Sequence, residues 1–155
     1  MMRLFKRTEP RKISDILKEK VMSAQQPLYM PSLRNEIPFQ LSPSMNGVET
    51  DRLPHYVMEW EHFDAIVAKA NAMGGKMYRG DELVQVRENK LGEQITADCM
   101  EGFIASELLH IPNGTSITRR STYYSGVLAW AGIITIHGRK NGEDRYITVN
   151  DTYRT

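Results

Sequence analysis

The chain has 155 residues, 41% hydrophobic and 25% charged, with a formal net charge of +1. That length and composition suit one ordinary globular domain with a real core. They exclude a bilayer-crossing segment, since no apolar run is long enough, and the near-neutral charge names no partner by itself.

The start, Met1-Met2-Arg3-Leu4-Phe5-Lys6-Arg7, is basic with no apolar stretch behind it, so no secretory signal is expected. Glu9, Asp15 and Glu19 argue against a transit peptide. The single cysteine, Cys99, cannot form an internal disulfide, and a reducing cytoplasmic home follows as the expectation. Cys99 falls in a helical pattern and reads as a small apolar side chain, not a zinc ligand. Charge is unevenly spread. Residues 1–20 carry seven basic and three acidic side chains, residues 47–107 six and twelve, and residues 115–155 six and three. Basic ends around an acidic middle fit either a nucleic-acid face or two halves that attract each other.

Ile13, Ile16, Leu17 and Val21 recur at helical spacing and predict a short amphipathic helix over 13–23. Arg3, Lys6, Arg7, Arg11 and Lys12 form a basic arm before it. Residues 27–54 hold Pro27, Pro31, Pro38, Pro43 and Pro54, which predict a long irregular segment on the surface, with a turn at Asn46-Gly47. The division expected is therefore an N-terminal arm, helix and proline-rich segment over 1–54, followed by a globular domain over 55–155.

Residues 58–73 return to helical periodicity through Trp60, Phe63, Val67 and Ala70, and Gly74-Gly75 ends that helix. Lys76 to Arg79 predict a short strand. Residues 82–88 fit strand or helix equally. Thr96 is the expected cap of a helix carrying Cys99, Met100, Phe103, Ile104 and Leu108. After Pro112-Asn113-Gly114, a further helix is expected over about 116–131, closed by Gly132.

The sharpest local signal is a hairpin. Asn141-Gly142 is the preferred pair for a two-residue type I′ turn. That turn sets Lys140 against Glu143, Arg139 against Asp144, His137 against Tyr146, Ile136 against Ile147, Thr135 against Thr148 and Ile134 against Val149. The two-residue strand period then gathers Ile134, Ile136, Ile147 and Val149 on one face. Thr135, His137, Tyr146 and Thr148 share the other. A slip of one residue would destroy that separation. The paired tip charges leave Arg145 as the unpaired cation.

The helix before the hairpin presents Ile117, Tyr124, Val127, Leu128 and Ala131 on one side. Thr118, Arg119, Thr122, Ser125 and Gly126 lie away from it, with Tyr123 pointing outward. Helix, break, helix and hairpin over about 96–150 resemble the second helix, recognition helix and wing of winged-helix proteins. The fold class expected is α+β, a small helical body with this winged-helix-like end. The resemblance implies double-stranded DNA as partner. Arginine reads guanine edges, hydroxyls meet phosphates, and small residues permit close approach. The expected contact residues are Thr118, Arg119, Arg120, Thr122, Tyr123 and Arg145.

Catalytic motifs are absent, and neither an enzyme nor a cofactor is expected. His55, Glu59 and His62 are spaced to share a helical face, but only one Glu-x-x-His copy exists where carboxylate-bridged metal sites use two. The leading expectation is a DNA-binding protein of winged-helix type, such as a transcription regulator. One alternative is a protein-interaction subunit that docks through the same module and grips a partner or second copy with its N-terminal segment. Another is a metal-dependent nuclease in which Asp64, Asp81, Glu82 and Glu93 converge.

Overall fold

The computed structural model describes residues 11–32, 38–84 and 89–155. The fold is α+β, and among the described residues no helix is long and apolar enough to cross a membrane. Helix α1 spans Ile13–Ser23, as the apolar spacing predicts, and buries Leu17 and Val21. The backbone N–H of Ser14 in its first turn donates to Asp64 at 2.8 Å, so α1 is tied to the body at its start. The arm residues Arg3, Lys6 and Arg7 lie outside the described residues, while Arg11 and Lys12 are exposed.

Among its described residues, the proline-rich segment is not irregular. It forms β1 (Leu28–Met30), β2 (Phe39–Pro43) and β3 (Gly47–Thr50), and β4 (Val57–Glu59) completes a four-stranded antiparallel meander. The prolines punctuate the strands instead of preventing them. Pro27 precedes β1, Pro31 follows it, Pro38 precedes β2, Pro43 ends β2, and Pro54 lies past β3. None needs to donate a ladder hydrogen bond from a central position. Leu28, Met30, Phe39, Leu41 and Val48 take the inward positions and are buried.

Helix α2 spans Trp60–Ala72 and buries Trp60, Phe63, Ile66, Val67 and Ala70. Gly74 and Gly75 follow it with φ of +87° and +88°, conformations that end a helix and that side-chain-bearing residues rarely adopt. Strand β5 (Lys76–Tyr78) comes next, then a single helical turn, α3 (Asp81–Val84). Residues 85–88, where strand and helix were equally open, lie outside the described residues.

Helix α4 (Met100–Phe103) runs on into a π-helical turn over Ile104–Leu108. Thr96 is not its cap. Cys99 holds the cap position without a side-chain bond to the helix, and the Thr96 carbonyl accepts from the Cys99 N–H at 3.2 Å. Helix α5 spans Ser121–Trp130, five residues shorter at its start than the periodicity suggests. Residues 117–120 carry no helical turn, and Ser116 instead forms an isolated bridge with Lys90.

Strands β6 (Ile134–His137) and β7 (Tyr146–Val149) pair in the predicted register, Ile134 with Val149 through His137 with Tyr146. The turn chemistry differs. Asn141 is not in the positive-φ region that a type I′ turn requires, and only Gly142, at +85°, is. The register is nevertheless the same, because both turns place two residues between Lys140 and Glu143. Strand β5 adds to the free side of β7, giving the antiparallel order β5-β7-β6.

Helix α2 packs on α1, β4, β5 and β7, and α5 packs on β1 and β6. One hydrophobic cluster runs through all of them, from Leu17 to Val149, with buried residues on both sides of position 54.

Candidate nucleic-acid interface

Helix α5 and the residues just before it carry five of the six expected DNA contacts, Thr118, Arg119, Arg120, Thr122 and Tyr123. Seven residues of α5 are buried: Ser121, Thr122, Tyr124, Ser125, Gly126, Val127 and Leu128. The small-residue face is the seat of the N-terminal sheet. A Cβ added at Gly126 would lie 2.6 Å from the Pro31 carbonyl oxygen and 2.8 Å from the Phe39 ring. Tyr123 does not point outward. It is half-buried, with Phe39 edge-on at 5.1 Å.

The cover is not a lid. Its own inward side chains, Leu28, Met30, Phe39 and Leu41, are all buried. At about 1.5–3 kcal/mol for each buried side chain, lifting those four alone costs roughly 6–12 kcal/mol. A whole domain has about that much stability. The face of α5 that was expected to enter a major groove is therefore part of the core.

The remaining expected contacts divide. Thr118 is exposed and Arg119 half-buried, both before the helix. Thr122 is 3% exposed. Arg120 lies with its guanidinium 5.3 Å from the Tyr56 ring centre. Arg145 is not an unpaired cation, because its guanidinium donates to Asp81 at 3.2 Å.

That bond belongs to a buried ion network. Arg79, fully buried at the end of β5, donates its Nε to Asp81 at 3.1 Å. Its other nitrogens donate to the carbonyls of His137, Gly138 and Tyr146. One side chain thus ties the hairpin to β5. Burial lowers the Arg79 pKa, and Asp81 opposes that shift.

Two further polar systems are internal. Glu101 accepts from the backbone N–H groups of Arg120 and Ser121 at 2.9 and 3.0 Å, with the Ser121 hydroxyl at 2.6 Å. Burial pushes its carboxyl group up to about 7 against those hydrogen bonds. The Tyr56 and Tyr124 hydroxyls lie 2.7 Å apart, and His62 Nδ1 lies 2.9 Å from the Tyr124 oxygen. Burial holds His62 below its usual range, against the pull of Glu59. The same burial raises both tyrosines.

The acidic residues considered for a nuclease do not converge. Asp81 is committed to two arginines and Asp64 to the start of α1. Among the described residues there is no group of three or more His, Cys, Asp or Glu placed to hold a metal ion. His55 is exposed with a φ of +61° and is not within the helix that carries His62.

The outer face of the β5-β7-β6 sheet is different in kind. Met77, Ile134, Ile136, Ile147 and Val149 face inward and are buried. The opposite face carries Tyr78, Tyr146 and His137 on one rung, because Tyr78 pairs with Tyr146 and Tyr146 with His137. The next rung is Lys76, Thr148 and Thr135. Tyr78 is 45% exposed. The His137 and Tyr146 rings stack at 4.4 Å with an interplanar angle of 8°. Tyr78 meets Tyr146 edgewise at 5.8 Å. From the β5 side, Lys76 Nζ sits 4.2 Å from the Tyr146 ring centre. His137 is held by the Thr148 hydroxyl, 3.0 Å from its Nε2.

Beyond His137 the hairpin opens into a cleft of about 530 Å³, lined by residues that include Ile136, His137, Tyr146, Arg139 and Lys140. Glu143 and Asp144 also line it. The expected ion pairs at the tip do not form as side-chain bridges; Glu143 instead accepts the Lys140 backbone N–H at 3.1 Å. At the other end of the face, Arg154 lies across Gly75, next to the start of β5.

The hairpin register already places His137 beside Tyr146. What sequence reasoning missed was Lys76 and Tyr78, since nothing local tells β5 which strand edge to join. No family model, curated protein or solved structure matches the chain.

Proposed function

We propose that the chain binds nucleic acid, and that the outer face of the β5-β7-β6 sheet makes the contact in place of helix α5. The observation that carries this reading is the row Tyr78–Tyr146–His137 with Lys76 against it, on a solvent-facing sheet surface. Aromatic rings and cations together offer a surface for bases and phosphates. Cross-strand aromatic pairs also stabilise sheets. That role accounts for the stacked His137–Tyr146 pair, but not for an exposed Tyr78 and for Arg139 and Lys140 beside the same pair. The order of α2, β5, α3, α4, α5 and the hairpin over 60–149 is compatible with a winged-helix-like module whose wing remains open while its helix is covered.

A titration of labelled nucleic acid across a salt series tests this. Affinity should fall steeply as salt rises, as phosphate contacts demand. Absence of binding at low salt would sink the reading.

The protein-docking reading has one observation in its favour. The face of α5 expected to meet DNA in fact seats a protein sheet, that of the chain's own β1 and β2. A stoichiometric partner on purification, without nucleic-acid binding, would favour it.

A further inference from the structure

We infer that the nucleic acid bound on this face is single-stranded, with one unstacked base extending the aromatic row at the free face of His137, next to the hairpin cleft. This rests on the nucleic-acid reading above. Three observations carry it further.

The first is which ring faces remain free. Tyr146 is closed on one side by His137 at 4.4 Å and approached on the other by Lys76 Nζ at 4.2 Å. The row is thus already stacked at its centre, and a ligand ring can only extend it at its ends. Strand β6 is the sheet edge, so the face of His137 turned away from Tyr146 looks outward, on the side where no further strand lies among the described residues.

The second is the cleft. It is an open depression of about 530 Å³, and His137 is among its lining residues. Arg139 and Lys140 line it as well and can meet a phosphate. The carboxylates of Glu143 and Asp144 stand there too and can accept from base amino groups.

The third is what the fold withholds. A ring can stack on a base only where the base face is exposed, which a duplex interior does not allow. Reading a duplex through its major groove needs a protruding helix or ribbon, and α5 is buried under β1 and β2. Mixed charge at the cleft also favours a strand of lower charge density over a duplex.

The test uses the full chain and end-labelled DNA and RNA oligonucleotides, each single-stranded and as the matching duplex, with binding read by fluorescence anisotropy. The single strands should bind at least roughly fivefold tighter than the duplexes, given the stacking of even one base. His137→Ala should weaken single-strand binding by roughly 5- to 100-fold, the range stacking supplies. His137→Phe, which keeps a ring but loses the bond to Thr148, should restore most of it. Arg139→Ala with Lys140→Ala, at the exposed tip, should flatten the salt dependence for single strands. Duplex binding as tight as single-strand binding would overturn the inference and leave the nucleic-acid reading standing. So would an unchanged affinity in folded His137→Ala. No binding of any oligonucleotide at low salt would remove both.

Discussion

The Ser121 hydroxyl lies 2.6 Å from Glu101 Oε2, and because the same carboxylate accepts the backbone N–H groups of Arg120 and Ser121, a residue of α4 caps a helix 20 positions further along the chain. Helix α5 has no capping side chain of its own at Arg120. Its first N–H groups would otherwise be buried without partners, so Glu101 replaces the local Ser, Thr or Asp that a helix start ordinarily uses. The cost is a carboxyl group that is 1% exposed.

That cost predicts a pH dependence. The folded-state pKa of Glu101 is raised from 4.5 to about 7. The folded chain therefore holds this proton more tightly than the unfolded chain does. The contribution is fully present below about 4.5 and is lost as pH rises through about 7. His62 acts in the opposite sense. Its folded pKa is lowered from 6.5, so its contribution is present above 6.5 and is lost as pH falls below it. Urea unfolding from pH 4.5 to 8 should show Glu101→Gln removing a fall in stability with rising pH. His62→Phe should make that fall steeper. If Glu101→Gln leaves the profile unaltered, burial does not govern this carboxyl group.

Removing the Arg79 guanidinium should be among the most damaging single changes. Arg79→Ala strands three hairpin carbonyls and leaves Asp81 buried with Arg145 as its one remaining arginine. Breaking a buried pair from one side costs about 3–5 kcal/mol. Thermal unfolding should show a large drop in Tm, or no cooperative transition. A loss below about 1 kcal/mol, the worth of a surface ion pair, would contradict the buried network.

Gly126→Ala separates a covered helix from an exposed one. On an exposed helix face the change adds helix propensity and stabilises by about 1 kcal/mol. Here the new methyl group meets the Pro31 carbonyl at 2.6 Å and the Phe39 ring at 2.8 Å. Destabilisation by about 1–3 kcal/mol is expected from such overpacking. A stabilised variant would return α5 to the surface.

Gly138→Ala tests the hairpin's shape. Gly138 has a φ of +80°, and an added Cβ would lie 2.1 Å from the Asp144 carbonyl oxygen. Strain and contact add, so a loss above about 1 kcal/mol is expected, with weaker nucleic-acid binding at the cleft. Unchanged stability would mean that the tip can reshape freely.

Binding itself should separate the two candidate faces. Lys76→Ala should weaken nucleic-acid binding and reduce the salt slope by about one unit, as loss of one phosphate contact does. Arg119→Ala should have little effect. The reverse order would return the contact to the start of α5.

The parts of the fold legible in the sequence are those set by nearest neighbours along the chain. Helix α1 follows from the spacing of Ile13, Leu17 and Val21. The hairpin register follows from alternation and a two-residue turn, and it holds even though Asn141 does not adopt the expected conformation. Proline as a ladder breaker predicts an irregular stretch over 27–54, yet it is equally at home at strand ends. Its positions at strand ends, with Leu28, Met30, Phe39 and Leu41 alternating inward, become meaningful only once β1 and β2 have a partner surface.

Tertiary structure alone decided which faces stay open. Thr122, Ser125 and Gly126 form a polar, small-residue stripe whether it faces water, DNA or a sheet, and periodicity cannot tell these apart. The strand Lys76–Tyr78 likewise carries no local sign that it joins β7. Burial is a property of what arrives from elsewhere in the chain. Strands β1 and β2, with Pro31 and Phe39, close the face of α5, and β5 brings Tyr78 and Lys76 to Tyr146 and His137.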